Sequence, residues 1–258
     1  MWAKLTRKKP EATKPSAVAD APVASVPDGH RIYAIGDIHG RADLLDSIAR
    51  EIEADLSSAP VAKATAVFLG DYVDRGPHSS KVLERLAQRD FPVPFVALRG
   101  NHEQMLLTFL ADPAFLSTWR QFGGLEALHS FGVDLRDARE GRDYERAHAE
   151  LVEAMSPEVR AFLEQTATSF QAGDYFFCHA GVRPNVPLAS QLDKDLMWIR
   201  DDFLRSPAYH GKIVIHGHTP VDEPDLRPNR INIDTGAYVS GRLTSLVLEG
   251  QSRRFLST

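Results

Sequence analysis

Five times along this chain a short apolar run stops at an Asp, Asn or His set beside glycine, and that repeated ending restricts the fold more than any other feature. Arg31–Ile35 is followed by Gly36-Asp37-Ile38-His39-Gly40, and Ala64–Leu69 by Gly70-Asp71-Tyr72-Val73-Asp74-Arg75-Gly76. Val93–Leu98 leads into Arg99-Gly100-Asn101-His102-Glu103. Asp174–Cys178 leads into His179-Ala180-Gly181, and Lys212–Ile215 into His216-Gly217-His218-Thr219-Pro220. Runs this short and apolar, closed by turn residues, read as buried strands. An open α/β sheet collects its functional groups past the carboxyl ends of its strands, so these endings are expected to meet at one edge.

Between the first runs, apolar residues recur at helical spacing: Leu44, Leu45, Ile48, Ala49 and Ile52, then Val82, Leu83 and Leu86. Met105, Leu106 and Phe109 repeat the pattern after the third run. Strand and helix alternate, which predicts a βαβαβα unit on a mainly parallel sheet. Residues 112–167 carry no strand signal. Helical patches at Leu151, Val152 and Met155, and at Val159, Phe162 and Leu163, predict a helical insertion there. Trp119, Phe122 and Leu125 are expected in its core, with Gly123-Gly124 at a turn or close-packing point. Further strands are expected at Arg230–Ile233, Leu243–Leu248 and Arg254–Leu256, spaced too closely for regular crossover helices, so the second half is expected to be partly antiparallel. Residues 1–29, rich in Lys, Pro and Ala, bury too little surface to offset their ordering entropy and are expected to form a flexible tail before a catalytic domain at 30–258.

A lone Asp after a strand is usually a helix cap or a turn former. Many carboxylates and imidazoles brought to one edge are different, because their desolvation and repulsion cost several kcal/mol unless a cation is present. The single cysteine, Cys178, excludes a thiolate cluster, so a metal here must use His, carboxylate and amide oxygen, a set that suits Mn, Fe or Zn. Cys178 closes an apolar strand and is read as core rather than as a nucleophile. A net charge of −5 argues against a chain whose main task is neutralising nucleic-acid phosphates. No run approaches the roughly 20 apolar residues of a membrane span, and no apolar stretch follows the N-terminal charges, so a cytoplasmic protein is expected.

Taken in order and spacing, Gly-Asp-Ile-His-Gly, Gly-Asp-Tyr-Val-Asp-Arg-Gly and Arg-Gly-Asn-His-Glu resemble the phosphoprotein phosphatase family of calcineurin-like metallophosphoesterases, in particular its bacterial and phage members. The resemblance implies an α/β fold, a four-layer αββα sandwich of two mixed sheets flanked by helices. It further implies two divalent metal ions, manganese foremost, with Asp37 and His39 on the first and Asn101, His179 and His218 on the second. Asp71 would bridge them, and His216 would then be a core or supporting histidine. His102 would be the general acid, Asp74 would orient it, and Arg75 and Arg200 would grip the phosphate together with Asn101. Arg183 and Arg205 are the alternatives to Arg200, and Asp234 is read either as a support for His216 or His218 or as a plain turn residue.

The implied reaction is direct attack of a metal-bound hydroxide on phosphorus. Asp74-Arg75 and Glu103 match the protein-phosphatase form of these motifs, so the expected substrate is a phosphorylated protein or peptide carrying phosphoserine or phosphothreonine, with phosphotyrosine also open. The alternative is a dinucleoside polyphosphate hydrolase of the diadenosine tetraphosphatase type. A nuclease-like phosphodiesterase fits less well, because Pro220 stands where that wider superfamily often carries a second histidine. A non-catalytic binding module predicts gaps in the ligand set, and the motifs show none.

Overall fold

The structure, a computed structural model, describes residues 24–139 and 142–258. Its first part alternates as expected: β1 (His30–Ile35), α1 (Ala42–Ser58), β2 (Lys63–Phe68), α2 (Ser79–Ala87), β3 (Phe95–Ala97) and α3 (Asn101–Ala111). A helical stretch follows, α4 (Leu116–Trp119), α5 (Gly124–Ser130), α6 (Arg136–Arg139), α7 (Tyr144–Ala154) and α8 (Pro157–Glu164). The remainder is β4 (Ser169–Ala172), β5 (Tyr175–Cys178), α9 (Asp193–Trp198), α10 (Asp201–Leu204), β6 (Ile213–His216), β7 (Asp225–Leu226), β8 (Arg230–Asn232), α11 (Ala237–Ser240), β9 (Thr244–Glu249) and β10 (Ser252–Ser257).

Two five-stranded sheets result, one ordered β10-β9-β1-β2-β3 and the other β4-β5-β6-β8-β7. In the first, β1, β2 and β3 are parallel while β9 runs antiparallel to β1 and β10. In the second, β5, β6 and β8 are parallel and the edge strands β4 and β7 antiparallel. The period-two alternation of β1 sorts its side chains between two layers. Ile32 and Ala34 pack with Tyr175, Phe177, Ile213 and Ile215 between the sheets, whereas Tyr33 and Ile35 join Leu45, Ile48 and Ile52 under the helices. On the outer face of the second sheet Phe176, Cys178 and Val214 meet Leu196, Ile199 and Phe203. Helix, sheet, sheet and helix therefore stack in that order, the expected four-layer sandwich, and burial of each such Leu, Ile or Phe is worth about 1.5–3 kcal/mol.

Several expectations are corrected. The chain from Ala24 to Gly29 does not behave as tail: Ala24 and Val26 are buried, the Val26 N–H donates to the Gly250 carbonyl at 3.0 Å, and the Ser25 N–H donates to Asp174 Oδ2 at 2.9 Å. The rest of the expected tail lies outside the described residues. Edge strands β4 and β7 escaped notice because they are short and carry no apolar run. Pro94 has no N–H to donate, and β3 begins only after it. The β5-to-β6 crossover carries the short helices α9 and α10 in place of a regular crossover helix. In the insertion Trp119 is fully buried, but Phe122 is 39% exposed and lies outside the core. Among the described residues no helix is long and apolar enough to cross a membrane.

Candidate metal centre

The parallel strands β1, β2, β5 and β6 all deliver their carboxyl ends to one edge, and α3 begins there. Backbone conformation aims the side chains. His39, Asp71, Asp74, Arg75 and His218 all have positive φ, between 45° and 72°, in the left-handed region that L-residues avoid. Such strain costs on the order of 1–3 kcal/mol per residue and persists only where the surroundings over-determine it. Glu103 supplies part of that constraint. Its buried carboxylate accepts the N–H groups of Gly100, Asp71 and Tyr72 at 2.7–2.9 Å and of Val73 at 3.3 Å, tying the start of α3 to the loop after β2. Burial and the charge of Asp71 push Glu103 up to about 7, against the pull of those N–H donors.

Asp71 stands at the middle, 2% exposed, with each oxygen turned to a different group. Oδ2 lies 3.5 Å from His39 Nε2 and 3.8 Å from His102 Nε2, while Oδ1 lies 3.4 Å from His179 Nε2 and accepts the His102 N–H at 3.1 Å. Ligand-capable atoms of His39, Asp71 and His102 fall within 4.8 Å of one another, and so do those of Asp71, His179 and His218.

The first group is capped by an arginine. The Val73 carbonyl accepts from His39 Nδ1 at 2.8 Å, which leaves a lone pair on His39 Nε2. Arg75 donates to that nitrogen at 2.9 Å and to His102 Nε2 at 3.0 Å. His102 Nδ1 meets Asp74 Oδ2 at 2.6 Å, and the same oxygen accepts the Trp119 indole N–H at 2.7 Å. Burial holds the Asp74 carboxyl well above the usual carboxylate range and lowers His102 to about 4. Burial likewise lowers His39 to about 3.

Among the described residues the second group has no such cap. His179 Nδ1 donates to the Leu69 carbonyl at 2.9 Å, so its Nε2 faces Asn101 Oδ1 at 3.0 Å, His218 Nδ1 at 3.1 Å and Asp71 Oδ1. Burial opposes charge on His179, yet Asp71 and Asp37 outweigh it and raise the imidazole to about 10. Asp37 Oδ2 accepts the His218 N–H at 3.0 Å. Asp37 Oδ1 and His218 Nε2 are buried without a hydrogen-bond partner among the described residues. Burial and the nearby Asp234 raise Asp37 well above the usual range. Unpartnered oxygen and nitrogen, together with lone pairs converging on His179, are what a divalent cation satisfies, and the N/O donor set fits one.

Asp37 falls outside both three-residue groups, although its carboxylate touches the backbone of His218. His216 is buried behind the site, its ring 5.1 Å from Phe203. Asp234 accepts the Gly236 N–H at 2.9 Å as a turn residue, with its charge felt by Asp37. Arg183 pairs with Asp195 and Asp202, and Arg205 with Asp201. Arg200 is exposed, and its charge acts on both His102 and His218. Sequence reasoning missed Tyr238. Its ring lies 4.8 Å beneath the Arg75 guanidinium and edge-on to His39 at 5.3 Å, and the left-handed Gly236 just before α11 was the one local signal of the turn that brings it there.

Strand-end carboxylates and imidazoles gathered around one shared aspartate, with an arginine held over them, make up the working edge of a metal-dependent phosphoester hydrolase. The chain belongs to the calcineurin-like phosphoesterases, whose family model matches residues 30–242. Among curated proteins it is similar to the bis(5'-nucleosyl)-tetraphosphatase PrpE (asymmetrical) of Bacillus cereus strain ATCC 10987 / NRS 248, at 28% identity over 236 residues, covering 82% of this chain and 88% of that protein. The protein of the same name from Bacillus mycoides strain KBAB4 is 26% identical over 239 residues, with the same coverage. The crystal structure of a candidate diadenosine tetraphosphatase is similar at a TM-score of 0.61 and 19% identity, covering 91% of this chain and 96% of that one. A cold-active protein-tyrosine phosphatase of a psychrophilic Shewanella species follows at 0.52 and 18% identity, covering 96% and 89%. These solved structures share the fold.

Proposed function

We propose that the chain hydrolyses phosphomonoesters with two divalent ions, and that its substrate is a serine or threonine phosphate on a protein or peptide. Asp37, His39 and Asp71 would hold one ion, and Asp71, Asn101, His179 and His218 the other. Manganese is the expected ion, with iron and zinc compatible with the same donors. When bound, the ions supply Lewis acidity toward the phosphoryl oxygens and lower the pKa of water.

The chain's own groups do the rest. The half-buried Arg75 and the exposed Arg200 bind phosphate oxygens, as guanidinium forks do well. His102 presents Nε2 to the site, and Asp74 holds its Nδ1 face, so the protonated imidazole donates from Nε2 to the leaving oxygen as its bond to phosphorus breaks and is reprotonated from water. This oriented His102–Asp74 pair carries the substrate reading. An alkoxide leaves poorly and needs a proton donor, whereas a nucleotide phosphate leaves as a stable anion and needs one less. The names of the curated relatives favour the second reading, a dinucleoside tetraphosphatase.

The test is hydrolysis of a phosphoserine peptide, a phosphotyrosine peptide and diadenosine tetraphosphate side by side. Metal-stripped protein refilled with manganese is compared with an Asp71→Asn control. Manganese-dependent release from the phosphoserine peptide, lost in the control, is expected. Preference for the dinucleotide would transfer the assignment to the second reading.

A further inference from the structure

The helical insertion over the first sheet reaches down to the site. Trp119, at the end of α4, is fully buried, and its indole N–H ends on Asp74 Oδ2 at 2.7 Å, the same oxygen that meets His102 Nδ1 at 2.6 Å. That indole is fixed from two sides. Phe109 of α3, the helix whose first turn carries Asn101 and His102, packs against it with ring centroids 5.2 Å apart. Gly124 also lies against the ring, where a Cβ would overlap it. One residue earlier, Gly123 has φ +100°, and its carbonyl accepts the Arg75 N–H at 3.2 Å. A side chain at Gly123 would run into the Arg75 backbone. Trp119 and Gly123 thus hold Asp74 and Arg75, two consecutive residues with positive φ, at their shared loop.

We propose that Trp119 is a positioning residue for proton delivery: its N–H fixes the rotamer and the accepting oxygen of Asp74, and Asp74 in turn aims His102 Nε2 at the leaving group. The proposal rests on the reading of His102 as the acid. A core role for Trp119 needs only the ring, whereas this role needs the N–H. A buried carboxylate oxygen with two donors keeps its orientation, and removal of one donor frees it to turn, leaving His102 less well aimed.

The decisive variant keeps the ring and removes the donor, by site-specific replacement of the Trp119 indole with benzothiophene; Trp119→Phe is the genetic counterpart. Both are assayed with manganese on a series of aryl and alkyl phosphates of rising leaving-group pKa, beside His102→Ala, with melting temperatures taken for every variant. Loss of proton delivery steepens the dependence of kcat on the leaving group. The benzothiophene protein is expected to lose about tenfold in kcat on the alkyl phosphate and less than about twofold on p-nitrophenyl phosphate, with KM unchanged. An equal loss across the series, or none, would overturn the inference. If His102→Ala itself shows no steepening, the acid assignment falls and the inference with it. If His102→Ala steepens and the benzothiophene protein does not, only the inference falls.

Discussion

The two halves of the site differ in what neutralises them. Around His39 and His102 the lone pairs are met by Arg75, and Asp74 Oδ2 is met by His102 and Trp119, while Asp74 Oδ1 has no partner among the described residues. Around His179 the same residue types converge, among the described residues, with no arginine or lysine hydrogen-bonded among them, and Asp71 and Asp37 raise the imidazole to about 10. Asp71 belongs to both, one oxygen to each. A guanidinium meets the buried lone pairs on one side, and on the other the carboxylates Asp71 and Asp37 favour the charged imidazole of His179. A divalent ion held by these residues would compete with the arginine in the first half and with a proton in the second.

Removal of the shared carboxylate should have the largest effect. Asp71→Asn is expected to lower kcat/KM on p-nitrophenyl phosphate by about 10³-fold or more and to reduce bound manganese, measured by elemental analysis of dialysed protein. Activity within tenfold of the parent would break the view that the halves share one residue. The next test separates the halves by pH. His179 is raised above its unfolded value of 6.5, so the stability it contributes to metal-free protein is complete below 6.5 and is lost as pH rises through about 10. Asp37, lifted by burial, acts in the same direction. The urea midpoint of metal-free protein is therefore expected to fall between pH 6.5 and 10, while manganese affinity rises over that range by up to about tenfold per unit as the proton on His179 ceases to compete. His179→Asn should flatten both trends. A metal-free midpoint that climbs with pH would overturn the assignment of the proton to this half.

The site was legible where its residues interrupt strong patterns. Asp37, Asp71, Asn101, His179 and His218 follow apolar runs, and burial in a sandwich leaves such endings nowhere but the sheet edge. Trp119 was legible only as core, because an aromatic at an apolar position reports burial and says nothing of where its one N–H points. Glu103 matched a motif, but that its carboxylate gathers four backbone N–H groups from two loops depends on a tertiary approach that spacing does not encode. The Ala24–Val26 segment misled for the opposite reason. Its composition is that of a tail, and its order comes from long-range partners, Asp174 and Gly250.

The smallest effect is expected at the rim, where the comparison extends to three arginines on one stretch of chain. Arg183 is committed to Asp195 and Asp202, the latter at 3.0 Å, and Arg205 to Asp201 at 2.8 Å. Among the described residues Arg200 has no such partner, and Trp198, two residues before it, brings its ring within 6.5 Å of His218. The positive charge of Arg200 disfavours protonation of both His102 and His218, which places its field over the two halves together. A free guanidinium at an exposed rim should act mainly in binding. Arg200→Ala is therefore expected to raise KM by about tenfold with kcat changed less, and the effect should shrink as salt is raised, because an exposed charge is screened. Arg183→Ala and Arg205→Ala should leave KM within about twofold, since their charges are already paired. Steady-state kinetics on a phosphoserine peptide at low and high ionic strength separates the three, and a larger KM effect at Arg183 than at Arg200 would move the second phosphate arginine to the other position.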